Sequence, residues 1–130
     1  MRTFKTKSFA RSARKADIGD KTLLEAVARS SKGLIDAPLG KFLIKQRVAR
    51  PKQGRSGGYR AILFFRLEDR SVFLHLFAKS RTENLTAVEE DWYREFAREL
   101  ARLTPMRVEA LVESGEWIEI EDEDDQKIPK

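Results

Sequence analysis

Cysteine is absent from this 130-residue chain, and His75 is its only histidine. Without cysteine, the chain can form neither a disulfide framework nor a zinc or iron–sulfur site built on thiolates. A single histidine also argues against a histidine-rich metal site and against a serine–histidine catalytic triad. The missing cysteine fits a protein from a reducing compartment, and we expect the chain to be cytoplasmic.

Long apolar runs are absent as well. The longest is Ala61–Phe65, whereas a membrane helix needs about 20 apolar residues. The hydrophobic residues make up 41% of the chain, which is enough for one compact core but not for two. We therefore expect one soluble domain without a membrane partner, and residues 1–15 fit a strand and short helix better than a cleaved targeting peptide.

Acidic residues are scarce in the first half of the chain. Residues 1–65 contain 16 Lys and Arg but only 4 Asp and Glu, whereas residues 66–130 contain 10 and 17. Most of the acid in the second half lies in residues 108–130, so the body of the chain is strongly basic. Such a surface attracts polyphosphate such as RNA, although a well-solvated surface would have the same composition.

Hydrophobic periodicity and capping residues predict most of the secondary structure. Thr3–Ser8 is predicted as an edge strand, and Asp20 as the N-cap of a helix over Lys21–Lys32 that stops at Gly33. The remaining predicted elements are a strand at Lys41–Ala49, a basic glycine-rich loop over 50–58, a hairpin of Tyr59–Leu67 and Val72–Lys79, a helix after the capping box Thr86–Glu89, a helix from Thr104-Pro105 to about Gly115, and a strand at Glu116–Ile120.

This order of elements predicts an α+β fold: a small, mostly antiparallel sheet with N-terminal and C-terminal helices packed on it. Residues 1–120 form the expected domain, and residues 121–130 form an acidic tail with the composition of a disordered segment. The tail is either simply solvated, the interpretation we favour, or a phosphate mimic that screens the basic surface. The helical stripe of Val88, Trp92, Phe96, Leu100 and Leu103 is expected to form core.

The segment Gly54–Arg60 leads directly from a glycine-rich loop into a central strand. Two adjacent glycines allow close approach of a ligand to the backbone, although a flexible turn would have the same spacing. The hairpin places Arg60 opposite residue 78 or 79, so Arg60 and Lys79 should lie at the same end of the sheet. Lys45 and Arg47, two residues apart on one strand, face the same way and could join them.

Converging cations repel each other and therefore need an anion, often a phosphate, or carboxylate partners. The alternative is a set of dispersed surface cations. His75 lies in mid-strand between Phe73 and Phe77, and the alternation of a strand predicts that all three share one face. We expect His75 to be a core residue rather than a catalyst.

Several segments together resemble the RelE/ParE superfamily of toxins from type II toxin–antitoxin modules, particularly its HigB-like RelE branch. The resemblance covers nearly all of residues 3–120 and includes Asn84 and Glu89. The segments that carry it are Phe4–Arg11, Gly33–Gly40, Lys45–Ala49, Arg55–Arg60, Phe77–Arg81 and Gly115–Glu119.

The resemblance implies a metal-independent endoribonuclease that enters the ribosomal A site and cuts mRNA without any cofactor. It assigns catalysis to Arg60, Lys79, Lys45 and Arg47. Arg60 would stabilise the transition state, and Lys79 would hold the scissile phosphate or assist proton transfer. Lys45 and Arg47 would supply the base or orient the 2′-hydroxyl. The residues that would bind RNA are Lys52, Arg55, Tyr59 and Arg81. The implied partners are the ribosome, mRNA and a cognate antitoxin, expected to be a small helix-turn-helix protein.

Two departures leave the activity open. The stretch after Lys79 carries Asn84 where RelE itself has a late catalytic tyrosine, and the paired lysines of the basic strand are reduced to Lys45 and Arg47. The same superfamily includes ParE-like gyrase inhibitors, which have this fold without RNA chemistry. A nucleic-acid-binding module without activity is the third alternative.

Overall fold

Six strands form one mixed sheet in the order β2-β3-β4-β5-β1-β6. The computed structural model describes residues 1–50, 54–78 and 85–121, with the backbone alone at residues 50 and 54–57. The strands are β1 (Arg2–Thr6), β2 (Ala37–Gly40), β3 (Leu43–Arg50), β4 (Gly54–Arg66), β5 (Arg70–Ala78) and β6 (Trp117–Ile120). Only β1 and β5 pair in parallel, so the predicted α+β fold with a mostly antiparallel sheet is confirmed.

The helices are α1 (Lys7–Lys15), α2 (Asp20–Ser31), α3 (Ala87–Ala101) and α4 (Pro105–Glu113). Threonine hydroxyls accept a hydrogen bond from a first-turn N–H at the start of three of them: Thr6, Thr86 and Thr104. The predicted capping box of Thr86 and Glu89 is confirmed. None of the helices in the described part of the chain is long and apolar enough to cross a membrane.

The two faces of the sheet carry separate hydrophobic cores, so the single core expected from the composition is wrong: one six-stranded sheet divides the apolar residues between its two faces. Helices α1 and α2 cover one face, where Phe9 packs on Phe73 with ring centroids 5.0 Å apart. Helices α3 and α4 cover the other face, which we call the α3 face, around Phe4, Ile62 and Leu100. Residues that alternate along a strand therefore belong to different cores, because successive side chains point to opposite faces.

The structure corrects the predicted position of one strand in the sheet, the number of strands and the start of β4. Strand β1 is not at an edge: it lies between β5 and β6, and Phe4 is fully buried. Strand β2 falls where Pro38 and Gly40 were expected only to interrupt the chain, and β4 begins at Gly54, inside the predicted glycine-rich loop. A parallel partner and a short edge strand depend on long-range pairing, which local alternation does not reveal.

Two finer predictions are also corrected. The N-cap of α2 is Gly19, and Asp20 is the first helical residue, while Gly33 ends the helix region as expected with a φ of 82°. The outer part of the α3 stripe does not form core, since Val88 is 78% and Trp92 58% exposed, although Leu100 is buried. The sheet covers only one side of α3, so the stripe is wider than the surface available to bury it.

Candidate active site

Strands β3 and β4 bring three cations to the α3 face. Arg47 lies directly opposite Arg60, and Lys45 lies opposite Ile62, whose side chain belongs to the core on that face. Directly opposed residues of an antiparallel pair project to the same face, with Cβ atoms about 5 Å apart. Lys45, Arg47 and Arg60 therefore lie on one face of the sheet, while Lys79, the fourth cation of the predicted cluster, lies outside the described residues.

Asp36, just before β2, is the carboxylate partner of this cluster. The Nε of Arg60 donates to Oδ2 of Asp36 at 2.9 Å, and Nζ of Lys45 lies 3.8 Å from the same oxygen. The three side chains are 15%, 22% and 25% exposed for Arg60, Asp36 and Lys45 respectively. Partial burial strengthens these contacts relative to ion pairs that are fully solvated.

The guanidinium groups of the cluster keep donors available. Within the described residues, the terminal nitrogens of Arg60 make no hydrogen bond, and the side chain of Arg47 has no polar partner. Arg47 is exposed, and its backbone carbonyl accepts a bond from Nη2 of Arg29 at 2.5 Å. Two opposed arginines with unused donors can bind an oxyanion such as phosphate, because guanidinium donors match its geometry.

A pocket of about 220 Å³ lies beside this cluster. Its walls are the side chains of Leu39, Lys45, Ile62, Phe77, Leu85 and Glu90. Four of the six lining residues are apolar, but Lys45 and Glu90 add charged groups, and the accessible surface of the pocket is more polar than apolar.

His75 joins the same face from β5. It pairs with Ile62, and its ring centroid lies 5.9 Å from Phe77 and 6.1 Å from Tyr93 of α3. Strand β5 contains a bulge between Phe73, which pairs with Leu63, and His75, which pairs with Ile62. The bulge places Phe73 on the opposite face of the sheet from His75, so the prediction that the two residues share a face is wrong. His75 is half-buried at the margin of the core.

Burial and hydrogen bonds shift three pKa values near the pocket. Burial lowers the pKa of His75, against the opposing effect of the Glu89 carboxylate, which favours the charged imidazole. Burial likewise raises the pKa of the Tyr93 hydroxyl. The pKa of Glu89 is lowered because the backbone N–H of Thr86 donates to its carboxylate. At neutral pH, His75 and Tyr93 are therefore neutral groups that can each donate one hydrogen bond.

The other residues predicted from the sequence are placed differently or lie outside the described part. Tyr59 packs on the core beneath α1 and α2, on the face opposite to Arg60. Arg60 lies opposite Phe77 rather than residue 78 or 79. Arg55 belongs to β4, but its side chain is outside the described residues, as are Lys52, Lys79 and Arg81 in full.

Two polar residues near the site were not identified as such from the sequence. Asp36 was recognised only as part of a resembling segment, yet it is the single acidic residue among residues 26–67, which contain ten Lys and Arg. A single carboxylate among so many cations is a sequence feature from which Asp36 could have been predicted as their ion-pair partner. Tyr93 carries no comparable signal, because it lies within an ordinary amphipathic helix.

A mixed sheet with helices on both faces and a cationic cluster on β3 and β4 defines the class: a small α+β protein with a site suited to an anionic ligand. The family model described as "RelE toxin of RelE / RelB toxin-antitoxin system" matches residues 1–120. The chain belongs to this family and is a toxin of a toxin–antitoxin system, for which a cognate antitoxin is the partner. No curated protein matches the sequence closely enough to count as a relative.

Proposed function

We propose that this toxin is a metal-independent endoribonuclease that cuts mRNA in the ribosomal A site and thereby stops translation. The observation that carries the proposal is the contact of Arg60 with Asp36, whose carboxylate accepts from Nε while the two terminal nitrogens of Arg60 make no hydrogen bond to any described residue. A fixed guanidinium with available donors is what a phosphoryl transition state requires. RelE family membership supports the same activity.

In the proposed reaction, the 2′-oxygen of one nucleotide attacks the adjacent phosphorus and its proton passes to a general base, a role that the family resemblance gives to Lys45 or Arg47. The bond from phosphorus to the 5′-oxygen of the next nucleotide breaks, and that oxygen takes up a proton. The products are a 2′,3′-cyclic phosphate and a 5′-hydroxyl. Negative charge increases on the phosphoryl oxygens in the transition state, where Arg60 would donate its hydrogen bonds.

The remaining roles rest on the position of each residue in the sheet, where the structure describes it, and otherwise on the family resemblance. Lys45 and Arg47 share the face of Arg60 and would orient the 2′-hydroxyl or bind the flanking phosphate. Lys79 would hold the scissile phosphate, while Lys52, Arg55 and Arg81 would bind the RNA backbone. Tyr59 would contact RNA only from the opposite face of the sheet, and this makes it the weakest of the predicted RNA contacts.

The cellular setting follows from the proposed target. Ribosomes and mRNA place the protein in the cytoplasm, and a small helix-turn-helix antitoxin would neutralise it there. We further propose that residues 1–120 are the toxin domain and that residues 121–130 are an acidic tail outside it, in agreement with the family match, which ends at residue 120.

The proposal is tested by inducing the protein in growing bacteria and mapping mRNA ends by primer extension. We expect growth arrest and new 5′ ends within translated codons. Arg60→Ala should reduce cleavage about 10²–10³-fold, the usual cost of losing one transition-state donor. Arg107→Ala is the matched control, because Arg107 is an exposed residue of α4, and it should cleave like the wild type.

Arrest with intact mRNA would contradict the ribonuclease proposal. If DNA supercoiling changed at the same time, the gyrase alternative would replace it. An absence of arrest at normal expression, with retained RNA binding, would instead indicate a nucleic-acid-binding module without activity.

A further inference from the structure

Asp36 is the one carboxylate among the ten Lys and Arg of residues 26–67, and it lies directly against the cationic cluster. Its position is fixed by the backbone as well as by the ion pairs. The N–H of Asp36 donates to the carbonyl of Lys45 at 3.2 Å, and β2 begins at the next residue. The carboxylate is therefore held in place before any ligand arrives.

The contact between Asp36 and Arg60 has a specific geometry. One carboxylate oxygen accepts from Nε of Arg60, while the two terminal nitrogens have no partner among the described residues. Arg60 is thus held from its side, with the end of its guanidinium available to a second oxyanion. A bidentate, end-on pair with a carboxylate would instead consume the donors that a phosphate needs.

We propose that Asp36 is a positioning residue and a built-in counter-ion of the site: it aims the terminal nitrogens of Arg60 at an RNA phosphate, and its charge weakens the binding of that phosphate. The part of this proposal that concerns cleavage rests on the proposed function. The part that concerns RNA binding and the orientation of Arg60 does not.

The two roles act in opposite directions, which makes them measurable. Removing the negative charge of Asp36 leaves Lys45, Arg47 and Arg60 uncompensated, so a phosphate should bind more tightly. Removing the acceptor at Nε frees the Arg60 side chain to rotate. Small misplacements of a catalytic group can lower a rate by up to about 10²-fold, so cleavage of bound RNA should become slower.

The decisive variants are Asp36→Asn and Asp36→Ala, with Asp20→Asn as the matched control. Asp20 is also an acidic partner of a lysine, with Nζ of Lys5 at 2.7 Å, but it belongs to α2 and makes no ion pair or hydrogen bond with Lys45, Arg47 or Arg60. Binding is measured by fluorescence anisotropy with a 2′-O-methyl oligoribonucleotide, which the proposed reaction cannot cleave. Cleavage is measured in single turnover with saturating mRNA-programmed ribosomes.

For Asp36→Asn, which removes the charge but keeps an oxygen that can accept from Nε of Arg60, we expect RNA binding that is several-fold tighter. For Asp36→Ala, which removes the acceptor as well, we expect single-turnover cleavage that is at least ten-fold slower. Asp20→Asn should change each quantity less than two-fold. In NMR spectra of the protein without RNA, the Nε–H of Arg60 should be protected from solvent exchange in the wild type and in Asp20→Asn, but not in Asp36→Ala.

The proposal is overturned if Asp36→Asn binds the oligoribonucleotide no more tightly than Asp20→Asn, or if the Arg60 Nε–H stays protected in Asp36→Ala. Failure of both Asp36 variants to fold would also overturn the proposal, because Asp36 would then serve the fold rather than the site. If wild-type protein cuts no mRNA, the proposed function fails, and binding and NMR still decide the role of Asp36.

Discussion

Like charges directly opposite each other on adjacent strands repel, and the Arg47–Arg60 pair has this arrangement. The repulsion between the two guanidinium groups is reduced in two ways: Asp36 forms an ion pair with Arg60, and Arg47 is exposed to water. The residual repulsion is a property expected of a site that receives a phosphate, since an oxyanion between the two guanidiniums would remove it. The unfavourable pair is thus easier to explain by ligand binding than by stability.

His75 should make the stability of the protein depend on pH. Burial lowers the pKa of His75 in the folded protein below the value of 6.5 that it has in the unfolded chain. Between the pKa of the folded state and that of the unfolded state, the unfolded chain therefore binds more protons than the folded chain. The stabilisation from neutral His75 is fully present above about pH 6.5 and is lost as the pH falls below that value. We expect the free energy of unfolding to decrease from pH 7.5 to pH 5.5 in urea titrations.

His75→Phe isolates this effect, because phenylalanine keeps a ring between Phe77 and Tyr93 but does not titrate. The decrease over the same pH range should be smaller in the variant. Carboxylates whose pKa is lowered, such as Glu119 beside Arg2, lose their stabilising effect only as the pH falls below about 4.5. Their effect on the free energy of unfolding is the same in both proteins. An identical pH dependence in the two proteins would contradict the assignment to His75.

At the scale of elements, two arginines of the β4–β5 hairpin hold the carboxyl end of α3. Nη2 of Arg70 donates to the carbonyl of Leu100 at 2.6 Å, and Nη1 of Arg66 donates to the carbonyl of Ala101 at 3.2 Å. The last carbonyls of a helix lack partners within the helix and carry partial negative charge. The hairpin therefore fixes the position of α3 over the face that contains the candidate site.

Arg70→Met should lower the free energy of unfolding by about 2 kcal/mol, because the side chain is largely buried and its hydrogen bonds are charge-assisted. Arg98→Met on the same helix is the control. Arg98 is exposed and pairs only with Glu95 among the described residues, so its loss should cost less than about 0.5 kcal/mol. Equal costs in urea denaturation would show that Arg70 does not anchor α3.

Local signals predicted elements better than pairings. The Thr86–Glu89 capping box and the stop at Gly33 act within a few residues, and both were found where the sequence indicated. The parallel pairing of β1 with β5 joins residues about 68 positions apart, and no local pattern encodes it. Helix α3 was predicted, but its exposed Trp92 was not, because periodicity does not state how wide a surface covers the helix.

The candidate site was predictable only in part for the same reason. Lys45 and Arg47 share a face by their spacing alone, and the hairpin connected Arg60 to the same region. The exact partner of Arg60 depended on the register of the β4–β5 pair, and the contact with Asp36 depended on the unpredicted strand β2. The position of His75 depended on a bulge in β5. Register and bulges are set by the assembled sheet rather than by any one strand.

At the scale of the whole molecule, positive charge is concentrated in the first half of the chain and negative charge near its end. A basic surface binds RNA mainly through its phosphates, so affinity should fall steeply as salt concentration rises. The acidic residues 121–130 would oppose this attraction only if they reached the proposed RNA site.

Deletion of residues 121–130 should change the affinity for RNA less than two-fold at physiological salt, because a solvated tail acts only through its long-range charge. The Debye length is about 8 Å under that condition, compared with about 30 Å at 0.01 M salt. Anisotropy titrations of full-length and truncated protein at both salt concentrations provide the measurement. A clearly tighter complex for the truncated protein at physiological salt would instead favour a tail that screens the site.

The central claim, RNA cleavage by attack of the 2′-oxygen, is tested most directly with purified protein and ribosomes stalled on a defined mRNA. Each A-site nucleotide is replaced in turn by its 2′-deoxy counterpart, and the fragments are analysed for their end groups. We expect cleavage only when ribosomes are present, a 2′,3′-cyclic phosphate on the upstream fragment, and loss of cleavage when the nucleotide 5′ to the cut lacks its 2′-hydroxyl. Intact mRNA throughout, or cleavage that persists with that 2′-deoxy nucleotide, would contradict the account.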